Sequence, residues 1–292
     1  MRQANNHDTL QKFSFEKYPV RGVIIHLNAT FKKACESSNY SEATKKYLGT
    51  ALSAIGLLSS TIKYEGKLTL QIQGEGPLSL LLTQANEKLQ LRGLAHEKGK
   101  VTSSFKKSIV KGTLLINIDL KDAKNRYQAV TELKQETLAE AINHYFMQSE
   151  QLPTKLWLFA NKNSAAGLLI QKMPSQEAES EFWEHIVMLA ETITAKELLS
   201  LSNYQIINRL FHEEAVRLFE QDPVCFKCSC SNEKMAAIII QLGEKEAEEI
   251  LAEQGEITAT CDFCNRIYRF DKVDVAKLFT RGNIITDNET KQ

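Results

Sequence analysis

The spacing of apolar positions along the chain changes several times, and each change predicts a new element. Residues 1 to about 12 read as a loose tail. Val20 to Leu27, with Val23, Ile24 and Ile25 at its centre, predicts a strand. Asn28 then stands as a helix cap, opening a short helix to about Ser38. Ser41 with Glu42 opens a longer helix to Ile62. Its Leu48, Leu52, Ile55, Leu58 and Ile62 recur at steps of three and four, which predicts one buried face. Leu68, Leu70 and Ile72 alternate with polar residues, the signature of a half-buried strand. Gly74-Glu75-Gly76-Pro77 reads as a turn. It is a poor phosphate cradle, because no helix obviously starts after it and Pro77 removes an amide. Further strands are expected at Leu78–Thr83, Leu89–Ala95, Gly112–Leu120, Tyr127–Leu133, Lys155–Ala160 and Ala166–Lys172, with a helix at Thr137–Ser149. Tyr127–Leu133 is expected to form a hairpin with the strand before it.

Hairpins mixed with a few helices predict an α+β fold, with the core domain spanning 1–174. From 175 to 222 no strand pattern is visible. Phe182, Ile186, Leu189 and Ile193 form one helical stripe. Thr194 to Glu197 and Ser202 to Gln205 have the form of capping boxes. Ile206, Leu210, Val216 and Phe219 supply further apolar faces. This segment is expected to be a helical linker, laid against the first domain and hiding an apolar surface. From 223 to 292 follows a small C-terminal module. It has helices at Glu233–Leu242 and Lys245–Glu253 around Gly243, a hairpin within Ile257–Phe270, and a last helix capped by Asp271 and running to about Phe279.

Composition adds limits. The 292 residues allow more than one domain, and 43% hydrophobic content suits a real core. Lys plus Arg equals Asp plus Glu at 36 each, which counts against a protein built to neutralise phosphates. No run of about 18 apolar residues is present, so no membrane span is expected. The polar stretch Met1 to Thr9 lacks the apolar core of a signal peptide. His7, His26, His96, His144, His185 and His212 are scattered without metal-type spacing, and no Gly-x-Ser-x-Gly, Walker or dinucleotide fingerprint occurs. An enzyme is not expected.

The chemistry lies in the cysteines. Five of six fall between Cys225 and Cys264, with residues 231–260 separating Cys225, Cys228 and Cys230 from Cys261 and Cys264. Two close thiolate pairs can close a tetrahedral site, which suits Zn²⁺. An iron–sulfur cluster is an alternative. Five thiols for four places leave a choice. Spacing favours the Cys225/Cys228 C-x-x-C, the usual knuckle of an inert ribbon, over the Cys228/Cys230 C-x-C, whose thiols can oxidise to a small strained ring. Thiol pairs without an export signal read as metal or redox chemistry in a reducing compartment. Cys35 stands alone as a small buried hydrophobe.

With these segments in view, the chain resembles the redox-regulated heat-shock holdases, the 33 kDa chaperonin family. Phe226-Lys227-Cys228-Ser229-Cys230-Ser231 and Cys261-Asp262-Phe263-Cys264 match its C-x-C and C-x-x-C pair. Gln71 to Pro77, Arg92 to Ala95, Tyr145 to Gln151 and Gly167 to Pro174 are similar to family segments further upstream. The resemblance implies that Cys228, Cys230, Cys261 and Cys264 hold one Zn²⁺ in an inactive reduced form, with Cys225 an extra thiol outside the pattern. It implies Cys228–Cys230 and Cys261–Cys264 disulfides on oxidation, and a cytoplasmic, ATP-independent holdase in the active state. Unfolding client proteins, ATP-driven refolding chaperones and a second copy of the chain, as a homodimer when active, are the implied partners. Zinc thiolates are the form that oxidants attack, and a sulfenic acid can condense with its neighbour to a disulfide. Losing the metal would remove the term that folds so small a module. The 180–220 helices are then expected to detach. Two rivals remain: a zinc-ribbon nucleic-acid or scaffold protein, against which neutral charge counts, and a thiol oxidoreductase using Cys261 and Cys264, for which no thioredoxin-like context is seen.

Overall fold

The structure is a computed structural model and describes residues 8–121, 127–174 and 180–286. The chain forms two units, Met1–Lys227 and Cys228–Gln292.

The first unit begins with β1 (Thr9–Phe15), β2 (Val20–Leu27), α1 (Ala29–Cys35), α2 (Glu42–Thr61), β3 (Gly66–Gln73), β4 (Leu78–Asn86) and β5 (Gln90–Glu97). It continues through α3 (Phe105–Ile109), β6 (Thr113–Leu120), β7 (Tyr127–Glu132), α4 (Leu138–Tyr145) and a π-type turn at Phe146–Glu150. Then come β8 (Thr154–Ala160), β9 (Ala165–Lys172), α5 (Ser180–Glu191), α6 (Ala195–Ser200), α7 (Asn203–Phe211), β10 (Val216–Pro223) and β11 (Cys225–Phe226). One sheet has the order β10-β1-β2-β9-β8 and the other β11-β5-β4-β3-β6-β7. All pairings are antiparallel except the short parallel one of β11 with β5.

β2 and β9 are buried on both faces, and alternation sends their side chains into two cores. Val23, Ile25, Leu27 and Leu169 join the core around α2, while Val20, Ile24, Leu168 and Ile170 join the core beneath α5–α7. α2 touches strands of both sheets, which makes it a central layer. The sequence pattern predicts one buried face for α2; the helix is buried nearly all round, from Leu48 to Ser59. Small residues allow this. A side chain at Gly56 would collide with Ile25 Cδ1, and one at Gly49 would meet Ala160 Cβ at 2.7 Å.

Three expectations are corrected. The predicted tail covers a strand: residues 1–7 lie outside the described residues, but Thr9–Phe15 is β1, between β10 and β2. Strand alternation turns Leu10 to one core and Phe13 and Phe15 to the other, so the apolar residues of β1 share no single face and the usual apolar–polar alternation is hidden. Second, Val216 to Pro223 forms a strand and not a helical face, because β1 supplies a partner some 200 residues away along the chain. Third, α1 is not capped by the Asn28 side chain. The buried Asp8 carboxylate accepts from the backbone N–H groups of Asn28 (2.5 Å), Ala29 (3.0 Å) and Thr30 (2.5 Å), satisfying orphan donors and complementing the helix dipole.

The expected turn at Gly74–Pro77 is present, and its amides are engaged: Glu75 N–H donates to Val110 O and Gly76 N–H to Ile109 O. The β6–β7 hairpin forms as expected. So do the capping boxes Thr194/Glu197 and Ser202/Gln205, at the starts of α6 and α7. Of the predicted linker, 175–179 lie outside the described residues. The rest packs Ile186, Ala190, Ile193, Leu198, Ile206, Leu210 and Phe211 onto the β1–β2–β9 face.

The second unit holds α8 (Asn232–Leu242), α9 (Glu244–Gln254), β12 (Ile257–Thr260), β13 (Ile267–Phe270) and α10 (Lys272–Thr286). Gly243 and Gly255, with φ of +101° and +78°, end α8 and α9 in conformations that suit glycine. Among the described residues, its hydrophobic core is built on six buried side chains: Ala236, Ile239, Ala247, Ile257, Phe270 and Val275. Two of these are alanines, so hydrophobic burial there is thin. The molecule is thus the α+β fold expected, with a small C-terminal cysteine module.

Candidate metal centre

Two short backbone features bring the thiols together. The β12–β13 hairpin, with Ala259 opposite Tyr268 and Thr260 opposite Ile267, closes through Cys261-Asp262-Phe263-Cys264-Asn265. The Cys261 carbonyl accepts from Cys264 N–H (3.2 Å) and Asn265 N–H (2.8 Å), while Cys261 N–H donates to Arg266 O (3.0 Å). Asn265 takes φ +56°, a left-handed conformation that asparagine tolerates better than most residues. The turn therefore places both thiols on one side of a rigid knuckle. The second pair lies just before α8. Cys230 precedes Ser231, whose hydroxyl caps α8 by accepting from Lys234 N–H, and Lys234 Nζ donates to Ser229 O at 2.5 Å. The helix start thus anchors the Cys228-Ser229-Cys230 segment.

The sulfurs of Cys228, Cys230, Cys261 and Cys264 lie within 4.8 Å of one another. Cys228 Sγ is 3.6 Å from Cys261 Sγ, and Cys230 Sγ is 3.5 Å from Cys264 Sγ. A tetrahedral metal with sulfur legs of about 2.3 Å needs edges of about 3.8 Å. The donor set therefore fits a metal ion in size and number. Cys261 is buried and the other three are partly buried. Cys225 is not in this cluster: it is exposed and belongs to β11 of the first unit, where its N–H donates to Leu89 O. Spacing favours a Cys225/Cys228 knuckle; strand pairing gives Cys225 to the sheet instead. Cys35, on α1, is pushed up to about 11 by burial, as befits a buried thiol.

Electrostatics explain why the cluster suits a cation. Burial would raise the Cys230 thiol, but the Tyr268 hydroxyl, donating to Cys230 Sγ at 3.1 Å, and the neighbouring thiols outweigh it and bring it down to about 7. Burial pushes Cys261 up and Cys264 up to about 12. Four negative sulfurs cannot share so small a volume unaided, and a divalent cation among them removes that cost. Tyr268 is a partner of the cluster that sequence reading misses. Its signal was present: on β13 it shares a face with the buried Phe270, two residues on, and carries a polar tip.

Among the described residues no helix is long and apolar enough to cross a membrane. A two-sheet α+β unit and a small, thinly cored second unit with a four-thiol cluster define a protein with a metal-capable C-terminal module. Comparison with known proteins narrows this. The family model described as Hsp33 protein matches residues 8–271. A 33 kDa chaperonin of Nitrosococcus oceani is 44% identical over 277 residues, covering 94% of this chain and 96% of that protein. One from Methylobacillus flagellatus is 39% identical over 288 residues, covering 97% and 98%. The crystal structure of the Thermotoga maritima 33 kDa chaperonin shares the fold, with a TM-score of 0.82 at 22% identity, covering 95% of this chain and 99% of that one. The chain belongs to the Hsp33 family of molecular chaperones, which are not enzymes.

Proposed function

We propose that this chain is a redox-regulated, ATP-independent holdase of the cytoplasm. It is inactive when reduced and metal-bound, and it protects unfolding proteins from aggregation under oxidative and heat stress. We assign 1–174 to client binding, 175–222 to the linker and 223–292 to the switch. The observation that carries the reading is the gathering of two chain-adjacent thiol pairs, Cys228/Cys230 and Cys261/Cys264, in a unit whose hydrophobic core, among the described residues, is built on six buried side chains.

The all-sulfur donor set and its tetrahedral dimensions support Zn²⁺, which when bound would hold the four sulfurs as thiolates and tie the hairpin to the start of α8. In the oxidised chain each pair closes on itself. One sulfur of the pair is oxidised to a sulfenic acid by peroxide or hypochlorite, and its neighbour displaces water to form the disulfide. Cys228–Cys230 and Cys261–Cys264 together withdraw all four ligands, and the unit loses the interaction that compensates for its thin core. The α5–α7 layer is the next element to yield in this reading. Beneath it lies an apolar sheet face of Phe13, Val20, Ile24, Leu168 and Ile170, a surface suited to exposed hydrophobic segments of clients. Active chains are homodimers in this account and pass clients to ATP-driven refolding chaperones. They bind neither nucleic acid nor membrane.

The test is light scattering from a thermally unfolding client with reduced or oxidised chain and no nucleotide. Suppression by the oxidised chain alone is expected. Equal suppression by both forms, or a need for ATP, contradicts the reading.

A further inference from the structure

The spacing Cys225-Phe226-Lys227-Cys228 is left unused by the four-sulfur cluster. Cys225 is exposed, and the strand that carries it is short. Cys225 N–H donates to Leu89 O (3.3 Å), Lys227 N–H donates to Leu91 O (3.0 Å), and Phe226 packs against the main core. These contacts keep the stretch extended. A strand rises about 3.3 Å per residue, so a residue three positions on is about 10 Å away while the extension lasts. A disulfide needs Cα atoms within about 4.4–6.8 Å. While β11 stays paired with β5, the extended backbone at Cys225 disfavours a Cys225–Cys228 bond.

We propose that Cys225 is a resolving thiol that acts once Cys228–Cys230 has formed, a step that rests on the redox reading above. The Cys225 thiol gives its proton to solvent, and its thiolate attacks Cys228 Sγ. The Cys225–Cys228 bond forms, the Cys228–Cys230 bond breaks, and Cys230 leaves as a thiolate. The oxidation level is unchanged, so no further oxidant is consumed. The exchange is driven downhill by ring size: the C-x-C ring is one residue tighter than the C-x-x-C ring and more strained. Closing the larger ring bends 225–228 into a turn. That breaks the Cys225 and Lys227 hydrogen bonds to β5 and frees the outer edge of that strand. The oxidation state of the switch is thereby written into the edge of the first unit's sheet.

Trypsin distinguishes the two disulfides, because Lys227 separates Cys225 from Cys228 while no Lys or Arg lies between Cys228 and Cys230. The full-length chain is oxidised with hydrogen peroxide, quenched in acid at intervals and alkylated. It is then digested and analysed without reduction by fragment-ion mass spectrometry. Early samples are expected to hold Cys228–Cys230 within one peptide, with Cys225 alkylated. Later samples should hold two peptides joined by Cys225–Cys228, with Cys230 alkylated, in most of the material, and hydrogen exchange at the Lys227 amide should rise with them. In Cys225→Ser the Cys228–Cys230 peptide should persist, with Lys227 still protected. Cys225 remaining alkylated in every sample that contains Cys228–Cys230 overturns the exchange while leaving the redox reading intact. A Cys225–Cys230 bond also overturns it. Absence of any disulfide among the four cluster sulfurs overturns both.

Discussion

At the scale of single residues, the cluster is tuned by a hydroxyl. Tyr268 donates to Cys230 Sγ and helps hold that thiol at about 7 against the effect of burial. Replacing Tyr268 with Phe removes the donor, so Cys230 binds its proton more tightly. Metal competes with that proton. Metal affinity should therefore fall by about 10-fold, the lower end of the range for lost outer-shell partners, and the pH of half-binding should move upward. Competition against a chromogenic chelator between pH 6 and 8 checks both; an unchanged midpoint would remove Tyr268 from the account. The cysteine types and their clustering were legible in the sequence because thiol spacing is a short-range signal. The place of Cys225 was not, because its strand partner β5 begins 135 positions earlier at Gln90. The same holds for Asp8, whose carboxylate caps α1 across about 20 residues of chain.

At the scale of elements, α5–α7 follow from local pattern and β10 does not. Capping boxes and a three–four stripe are carried within each helix, so Thr194, Ser202, Ile186 and Ile193 announce them. β10 is a polar edge strand, mostly exposed on one face, and only its pairing with β1 makes it a strand. Polar contacts join the sheet to this helical layer: Asn203 Nδ2 donates to Gln11 Oε1 (3.0 Å), and His26 Nε2 lies 2.8 Å from Leu198 O. Burial lowers the His26 pKa, opposed by its hydrogen bonds to the Leu198 backbone and the Asn203 side chain. A histidine depressed in the folded state stabilises it fully above the unfolded value of about 6.5, and that stability is lost as pH falls through the folded value. The urea midpoint of the first unit should therefore drop between pH 7.5 and 5.5, and the drop should shrink in His26→Gln. Parallel pH profiles for the two proteins would place the sensitivity elsewhere.

At the scale of the whole molecule, the two units differ in what holds them. The first has two extensive cores around α2 and beneath α5–α7. The second has, among the described residues, a hydrophobic core built on six buried side chains, and four clustered sulfurs. Structural zinc sites contribute about 10–16 kcal/mol of apparent binding energy in small finger peptides, far more than so thin a core can replace. Chelating the metal under reducing conditions should therefore abolish hydrogen-exchange protection in 228–286 and leave it intact in the β2, β9 and α2 segments. Protection that survives in α8 and β13 would mean the second unit folds without metal. A small C-terminal cysteine module was legible because composition and thiol spacing change along the chain. The interlocking of β1 with β10, at opposite ends of the first unit, was not, since no local pattern encodes a partner so distant in sequence.

The most direct test of the central claim couples metal release to client protection. The metal-loaded chain is oxidised by peroxide at mild heat or by hypochlorite, and released zinc is read with a chromogenic chelator. Suppression of client aggregation is followed in the same samples, before and after reductant and zinc are restored. The account predicts that release and suppression rise together and reverse together. Zinc leaving without a gain in suppression, or activity that stays constant while zinc remains bound, would contradict it and leave the cluster a purely structural metal site.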